Sequence, residues 1–323
     1  MDTERYFVND LDRRIWEEEL EEFVPARVFD AHTHIWSEAN ALPETEKTLI
    51  RTPVSAADLV AWSRKIYPGR ELGFMIMGSP VLGMNFAADR AWCVAEAAAT
   101  PNSVCAVIVT PELTPETLDA EATRGGFRAL KPYRLYASDP VNCAIRDFLP
   151  ESLIEVADHH KLMVVMHLSG TECAADPRNL ADLAYFAGRY PNVTWQLAHC
   201  ARCFNACFLE ESIHVLKNLP NICYDLSAVC DDRSIYLLFK HEDRTRLMYG
   251  SDNVSAGSLH GKYVTYGRSW DWYPQQGGDN AILICYEQLR AMRRAAEYAQ
   301  LTESEIADIF YYNARRIYLG EKR

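Results

Sequence analysis

Residues 28–34, with the sequence VFDAHTH, lie in the first of eight short apolar runs of this 323-residue chain. Residues i and i+2 of a β-strand point to the same face, so a strand here projects His32 and His34 together. Two imidazoles at this spacing can reach one metal ion. Two surface histidines on an alternating strand would give the same pattern, so the rest of the chain has to decide between the two interpretations.

The apolar runs together predict a parallel sheet. They are rich in β-branched residues, and segments of helical period separate them. Eight strands that alternate with helices predict an α/β protein with a (β/α)₈ TIM barrel, and an open doubly wound sheet is the alternative. No strand is followed by G-x-G-x-x-G or a P-loop, which removes the commonest nucleotide-binding open sheets. The predicted strands are residues 27–32, 72–77, 104–109, 127–131, 162–167, 193–199, 222–226 and 246–250.

The segments between and after these strands predict helices. The last helix begins with Thr302-Glu303-Ser304-Glu305, a capping-box pattern. We expect a single barrel domain over residues 1–323, because no linker or internal repeat interrupts it. Residues 1–25 are expected to form a helical extension, and residues 255–278 a long aromatic loop that acts as a lid. The predicted helices are residues 56–65, 85–99, 141–159, 177–190, 209–216, 234–241, 280–299 and 302–318.

Composition and charge exclude several functions. The net charge of −12 argues against a nucleic-acid partner, because phosphate binding needs a basic surface. No run of eighteen apolar residues predicts a membrane span, and the charged N-terminus does not resemble a secretory signal, so we expect a cytoplasmic protein. The ten cysteines lie mostly in apolar runs, which indicates reduced core residues rather than disulfides.

Chemically active side chains collect where the predicted strands end. His167 ends strand five, His199 ends strand six and Asp252 follows strand eight. The carboxyl ends of all strands of a barrel converge on one face, where the active sites of such enzymes are built. Four of the nine histidines fall at such ends, counting His32 and His34, and this concentration favours a metal site over scattered surface histidines.

At this point the chain resembles the amidohydrolase superfamily, and most of all its amidohydrolase-related (amidohydrolase-2) branch of hydrolases, lactonases and metal-dependent decarboxylases. The segments that carry the resemblance are FDAHTHIW, GFRALKPY, MHLSG, LAHCAR and YGSDN, which span roughly residues 27–252. The resemblance implies that His32, His34, His167 and Asp252 bind one metal ion. It also implies that His199 stands beside the metal-bound water or the substrate.

The chemistry of these residues agrees with such roles. Three imidazoles and a carboxylate suit Zn²⁺ best, and also Mn²⁺ or Fe²⁺. A divalent ion there would bring the pKa of a bound water towards neutrality. Asp252 is the candidate base that moves the proton of this water, and His199 could either hydrogen-bond the oxyanion or orient the nucleophile. Asp30 shares the face of His32 and is either a supporting group or a structural polar residue.

An anionic substrate would need local cations in so acidic a chain. Arg128, Lys131 and Arg202 are the candidates, and Trp36 is expected to line the substrate pocket. Binuclear members of the superfamily carry a carboxylated lysine near Lys131, but mononuclear relatives also keep a lysine there, so the metal count stays open. We favour one metal. Relatives that cleave DNA carry a glutamate on strand four, and its absence disfavours a nuclease.

Several other groups favour packing. The cysteines of residues 200–207 have the spacing C-x₂-C-x₃-C without a fourth ligand, and we expect them to begin a helix as small apolar residues. Trp195 lies inside a strand and is expected to pack. Trp270, Trp272 and Tyr273 either line the pocket or pack the lid. His159 and His160 suit the carboxyl end of a helix.

The leading hypothesis is a metal-dependent hydrolase that cleaves a C–O or C–N bond of a small, anionic molecule with metal-activated water. The alternative is a lyase, either a non-oxidative decarboxylase or a hydratase, with the same metal cage. A non-catalytic ligand-binding barrel is disfavoured because the set of ligands is complete. The resemblance also implies a homodimer. The sequence does not identify the substrate.

Overall fold

Eight parallel strands lie side by side in the order in which they occur in the chain. A computed structural model describes residues 6–43, 53–274 and 281–321. Since each strand pairs with the next one in sequence, the sheet confirms the predicted barrel and excludes the doubly wound alternative. The strands are β1 (Arg27–Ile35), β2 (Glu71–Gly78), β3 (Ser103–Val109), β4 (Ala129–Pro132), β5 (Met163–Met166), β6 (Thr194–Leu197), β7 (Ile222–Asp225) and β8 (Leu247–Met248).

The residues that follow β8 close the barrel against β1. The amide of Ala31 donates to the carbonyl of Tyr249 at 2.9 Å, and the amide of Asp252 donates to the carbonyl of His32 at 2.9 Å. A parallel bridge joins Thr33 to Asn253 beyond them. The closure therefore places Asp252 directly beside the two histidines of β1.

The helices form the outer layer, and they differ from the predictions at two points. Predicted helix 141–159 breaks at Pro150, which has no amide hydrogen to donate. The predicted helix 302–318 changes to π-helical geometry over Asp308–Tyr312, although its capping box between Thr302 and Glu305 is confirmed. The helices are α1 (Asp10–Ile15), α2 (Ala56–Ile66), α3 (Phe86–Ala99), α4 (Pro115–Arg124), α5 (Ile145–Phe148), α6 (Glu151–His160), α7 (Pro177–Arg189), α8 (Ala198–Arg202), α9 (Ala206–Leu216), α10 (Asp232–His241), α11 (Ile284–Tyr298), α12 (Glu303–Ala307) and α13 (Asn313–Leu319).

The segment predicted as a loop after β8 contains β9 (His260–Tyr266) and β10 (Ser269–Pro274). They form an antiparallel sheet with β11 (Ile282–Leu283), which lies at the start of the predicted helix 280–299. Residues 275–278 of the predicted lid lie outside the described residues, as do the side chains of Trp272 and Tyr273. The buried Asp12 of α1 holds this sheet, because its carboxylate accepts from the amide of Leu283 at 3.0 Å and lies 2.7 Å from Nε2 of His260. The N-terminal extension therefore anchors the base of the hairpin.

Two apolar clusters flank the sheet. The larger one lies between the barrel wall and the outer helices. The smaller one fills the barrel interior, and side chains of the last helical segments close it from below: Tyr311, Ala314 and Tyr318. Within the described ranges, no helix combines the length and the apolar composition needed to cross a bilayer. The polar residues thus concentrate at the other, carboxyl end of the barrel.

Candidate active site

A cavity of about 340 Å³ opens at the carboxyl ends of the strands. Seven of the nine residues that we singled out for the site line it: His32, His34, Lys131, His167, His199, Arg202 and Asp252. They come from β1, from the ends of β4, β5 and β6, and from the segment after β8. The other two, Arg128 and Trp36, do not line this cavity.

Asp252 faces both histidines of β1. Its Oδ1 lies 3.4 Å from Nε2 of His34 and 3.8 Å from Nε2 of His32. Donor atoms that bind one tetrahedral zinc at about 2.0–2.2 Å lie roughly 3.3–3.6 Å apart. His32, His34 and Asp252 therefore form a group in which one ligand atom from each residue lies within 4.8 Å of the others.

The Nδ1 atoms of both imidazoles, on the side away from Asp252, already form hydrogen bonds. Nδ1 of His34 lies 2.9 Å from the carbonyl oxygen of Gly78, and Nδ1 of His32 lies 3.0 Å from Oδ2 of Asp225. Because these oxygens only accept, each Nδ1 carries the hydrogen. Nε2 of a neutral imidazole is then left with a lone pair.

This arrangement fits a cation. Burial, together with the positive charge of Lys131, lowers the pKa of His32 to about 3. Its imidazole is therefore neutral at pH 7. Burial alone would raise the pKa of Asp252, but its contact with His34 and the other nearby imidazoles brings it to about 2. A lone pair and a carboxylate oxygen thus face each other, and a cation between them would make this contact favourable.

His167 lies farther from this group. It lines the cavity, and its ring centroid is 5.3 Å from that of His199. Its ring nitrogens do not converge with the ligand atoms of His32, His34 and Asp252. Its buried Nδ1 makes no hydrogen bond within the described part of the chain. Burial, then the charge of Arg202, lowers its pKa, so a neutral nitrogen is available for a ligand.

His199 begins a left-handed turn, which corrects the expectation that this segment starts an ordinary helix. Four consecutive residues, His199 to Arg202, have φ between 53° and 59°. Left-handed backbone costs a residue with a side chain roughly 1–2 kcal/mol. Hydrogen bonds hold the turn, since the amide of His199 donates to Oδ1 of Asp225 at 3.1 Å. The turn places the His199 ring centroid 4.8 Å from that of His32.

Asp225 is the residue that the sequence analysis missed. It ends β7 and is fully buried. Its two oxygens accept from Nδ1 of His32, the amide of His199, the side chain of Gln196, and both the amide and the hydroxyl of Ser227. Burial would raise its pKa, but the neighbouring imidazoles and hydrogen bonds hold it well below its usual range. Asp225 lies at a strand end, as the residues identified from the sequence do, but a single carboxylate gives no signal of its own.

Three cations line the cavity. Lys131 is buried, and its Nζ lies 3.4 Å from Nε2 of His32. Burial lowers the pKa of Lys131 to about 8. Arg202 donates to the carbonyls of Leu168 and Gly170 at 3.1 and 2.5 Å. Arg134, which the sequence analysis overlooked three residues after Lys131, has a buried Nε without a hydrogen-bond partner in the described ranges.

The prediction for Arg128 is wrong in position. This residue immediately precedes β4 and is exposed at the amino end of the strand. Lys131, three residues later, reaches the carboxyl end, where the cavity opens. Since a strand rises about 3.3 Å per residue, the two side chains belong to opposite ends of the barrel. Arg128 is therefore not a substrate-binding candidate.

The aromatic wall of the cavity also differs from the prediction. Trp36 pairs with Val54 and packs against the outer core. Tyr263 and Trp270 from the β9–β10 hairpin line the cavity together with Phe204, and the rings of Phe204 and Trp270 are 4.6 Å apart. Trp195 is buried and stacks on Phe186, as expected of a packing residue.

The thiols show no sign of a second metal site. All ten cysteines are free, and no group of converging ligand atoms among the described residues contains a thiol. A separate group outside the cavity consists of Asp119, His159 and His160, in which His160 forms a 2.8 Å ion pair with Asp119 at the end of α6. This pair agrees with the structural role expected for His160.

The comparison with protein families decides the family of this chain. The family model described as amidohydrolase matches residues 29–319, nearly the whole barrel. The chain belongs to the amidohydrolase-2 family. It is thus an enzyme of the amidohydrolase type, in a family that depends on metal, and its His/Asp groups could bind a metal ion.

Solved structures similar to this amidohydrolase have the same fold at low sequence identity. One is 4-oxalomesaconate hydratase from Rhodopseudomonas palustris, with 16% identity, a TM-score of 0.57, and coverage of 90% of this chain and 95% of that one. A probable 2-pyrone-4,6-dicarboxylic acid hydrolase from Acinetobacter baumannii has 12% identity, a TM-score of 0.60, and coverage of 90% and 98%. An amidohydrolase from Burkholderia multivorans has 14% identity, a TM-score of 0.60, and coverage of 91% and 99%. A search of curated proteins finds no match.

Proposed function

We propose that this amidohydrolase binds one divalent ion, Zn²⁺ in first place, and hydrolyses a C–O or C–N bond of a small anionic substrate. The observation that carries the proposal is the contact of Asp252 with His34 and His32 at 3.4 and 3.8 Å, with both Nδ1 atoms already donating elsewhere. The ligands that we propose are His32, His34, His167 and Asp252.

The chain's own residues supply the proton transfers. When bound, a divalent ion polarises a carbonyl and makes a water molecule more acidic. Asp252 is ionised near neutral pH and is therefore able to accept the proton of the attacking water and pass it to the leaving group. Nδ1 of His199 lies 2.9 Å from the carbonyl oxygen of Ser227 and burial lowers the pKa of this imidazole, so its Nε2 presents a lone pair that is placed to orient the attacking water.

The cations of the cavity favour an anionic substrate. Lys131, Arg134 and Arg202 line one small cavity in a chain whose net charge is −12. Two guanidinium groups in the same wall repel each other, and the charge of Arg202, after burial, lowers the pKa of Arg134. A carboxylate or phosphate between them would relieve this repulsion and accept from both. The structure from Acinetobacter baumannii, with its similar fold, holds citric acid.

The β9–β10 hairpin is the proposed lid. Tyr263 and Trp270 of the hairpin lie on the cavity wall, so the hairpin covers the site from the side of solvent. Water exclusion by such a segment strengthens every electrostatic contact inside the cavity.

A lyase is the second candidate. Lys131 lies 3.4 Å from Nε2 of His32, where a protonated amine can hold a substrate carboxylate or deliver a proton to carbon. The fold neighbour from Rhodopseudomonas palustris is a hydratase, whereas the one from Acinetobacter baumannii is named as a hydrolase. The metal ligands would be the same in either reaction.

Two measurements test the proposed function. Elemental analysis of the purified protein should find about one divalent ion per chain, and His32→Ala should lose most of it. His160→Gln is the control for metal bound at the outer surface beside Asp119. Unchanged metal in His32→Ala would contradict the assigned site.

The reaction in ¹⁸O-water distinguishes the two candidates. A hydrolase must place solvent oxygen in a cleaved product, and Asp252→Asn should lower kcat by about 10²–10⁴-fold. Hydration also takes up solvent oxygen, but it does not cleave the molecule. Release of CO₂ without incorporation of solvent oxygen would instead identify a decarboxylase.

A further inference from the structure

A chain of buried hydrogen bonds runs from the last helix of the described structure to the proposed metal site. The hydroxyl of Tyr318 in α13 donates to Oε1 of Gln196 at 2.7 Å. Nε2 of Gln196 donates to Oδ2 of Asp225 at 2.8 Å, and the same oxygen accepts from Nδ1 of His32 at 3.0 Å. Gln196, Asp225 and His32 are at most 1% exposed, and Tyr318 is 5% exposed.

The directions of these hydrogen bonds are fixed by chemistry. Nε2 of Gln196 faces two acceptors, the Asp225 carboxylate and the carbonyl of Ala31 at 3.1 Å. Rotating the amide by 180° would turn its oxygen towards both of them. The Tyr318 hydroxyl must therefore donate to Oε1, and it satisfies the amide oxygen in the orientation that serves Asp225.

Asp225 in turn fixes the tautomer and the ring orientation of His32. Five donors surround its two oxygens, so the carboxylate has no position left for a hydrogen of its own. His32 then carries its hydrogen on Nδ1, and its Nε2 presents a lone pair to the cavity. A partner that fixes the tautomer and ring orientation in this way increases the metal affinity of an imidazole.

The position of Tyr318 separates it from an ordinary core residue. Its ring packs on Phe29 within the cluster that closes the amino end of the barrel, with ring centroids 5.5 Å apart. From there the phenol reaches upward into the barrel interior. Packing alone would be satisfied by phenylalanine, whereas the hydrogen-bond chain requires the hydroxyl.

We propose that Tyr318 and Gln196 are positioning residues, which hold Asp225 and through it His32 in the tautomer that binds metal. The inference rests on the metal centre proposed above. It assigns to the last helix a part in the chemistry of the opposite end of the barrel.

Zinc affinity tests the proposal. The dissociation constant of Zn²⁺, measured by chelator competition, should rise about 3- to 10-fold in Tyr318→Phe, less than the 10–100-fold typical of a direct partner. Tyr311→Phe is the matched control, because it loses a hydroxyl in the same cluster but is not part of the chain. The affinity loss of Tyr318→Phe combined with Gln196→Met should not exceed that of Gln196→Met alone. Losses that add, or an unchanged affinity in Tyr318→Phe, would overturn the proposal.

A second readout does not need metal. ¹⁵N NMR of metal-free protein labelled at histidine, with His32→Gln for assignment, reports which nitrogen of His32 carries the hydrogen. We expect Nδ1–H in the wild type and in Tyr311→Phe, and a mixture of tautomers in Tyr318→Phe. The same tautomer in all three proteins would overturn the positioning role. If the wild type binds no Zn²⁺, the metal centre fails, and this NMR comparison alone decides the role of Tyr318.

Discussion

At the scale of single residues, Asp225 controls two of the four histidines in the cavity. Its carboxylate accepts from Nδ1 of His32 and from the amide of His199, which begins the left-handed turn. One buried side chain thus fixes the tautomer of a proposed metal ligand and also the backbone of a proposed catalytic residue.

Asp225→Asn should therefore weaken metal binding. An amide can accept only at its oxygen and places a donor beside either Gln196 or the backbone, so the His32 tautomer is no longer fixed. We expect an affinity loss of about 10–100-fold, the range typical of such partners. Glu242→Gln is the control, because it changes a buried carboxylate outside the cavity. Equal metal affinity in both variants would exclude the role of Asp225.

The sequence could identify those site residues whose position depends only on the local strand pattern. His32, His34, His167, His199 and Asp252 follow from one rule, that strand ends converge, and all five line the cavity. The same rule covers Asp225, but one carboxylate among the 45 acidic residues of the chain carries no signal until its partners are known. Arg128 and Arg134 differ only in which end of β4 they flank, and the exact bounds of a four-residue strand determine that.

At the scale of elements, β2 and α3 meet through an unusually close contact. A Cβ atom on Gly78 would lie 2.4 Å from Oδ2 of Asp89, so glycine is needed for the carboxylate to pack against the strand. The carbonyl of Gly78 is also the acceptor for His34. The helix therefore supports the strand end that orients a proposed metal ligand.

This contact predicts a pH dependence of stability. Burial raises the pKa of Asp89 from 3.8 to about 6. Between about pH 6 and pH 4, the carboxyl group is therefore protonated in the folded protein but still ionised in the unfolded chain. Asp89 therefore favours folding more as the pH falls from 8 towards 5. Asparagine does not titrate. As the pH falls from 8 to 5, the wild type should therefore gain about 1–2 kcal/mol in its free energy of unfolding relative to Asp89→Asn, as measured by urea titrations at both pH values. A difference independent of pH would contradict this.

The hairpin predicts an effect on substrate binding. Trp270 lines the cavity through its contact with Phe204, whereas the partly exposed Tyr266 near the turn does not line it. Trp270→Ala should raise KM several-fold and leave the metal content unchanged, because the lid loses contact area but no proposed ligand. Tyr266→Ala is the control. An unchanged KM in Trp270→Ala would remove the lid from the proposed function.

Elements with a strong period were predictable, and those determined by tertiary contacts were not. β1, β2 and β3 lie within two or three residues of their predicted ends. β8 has only two residues, because the chain after it leaves the sheet to place Asp252 beside β1. The β9–β11 sheet depends on Asp12, some 270 positions away in the sequence, and local patterns contain no information about that contact.

At the scale of the whole molecule, the proposed metal site joins the two ends of the barrel sheet. Three of its four proposed ligands come from β1 and from the segment after β8, so a bound ion would link the strands where the barrel closes. An ion that binds only the folded chain adds about 2.7 kcal/mol of stability at a concentration 100 times Kd. We expect Zn²⁺ to raise the Tm of chelator-treated protein by several degrees, and His34→Ala to abolish the shift. A Tm that does not respond to metal in the wild type would contradict binding at this closure. The expected homodimer stays a prediction.

Tyr318 has a consequence for how the protein folds during its synthesis on the ribosome. Every strand of the barrel is synthesised before α13, so a nascent chain can assemble the sheet while its amino end still lacks the cluster around Tyr311 and Tyr318. His32, made nearly 300 residues earlier, acquires the full set of hydrogen bonds behind it only after Tyr318 has left the ribosome. A chain stalled before α13 would hold the proposed ligands without the hydrogen bonds that orient His32, and we expect it to bind metal more weakly than the finished chain.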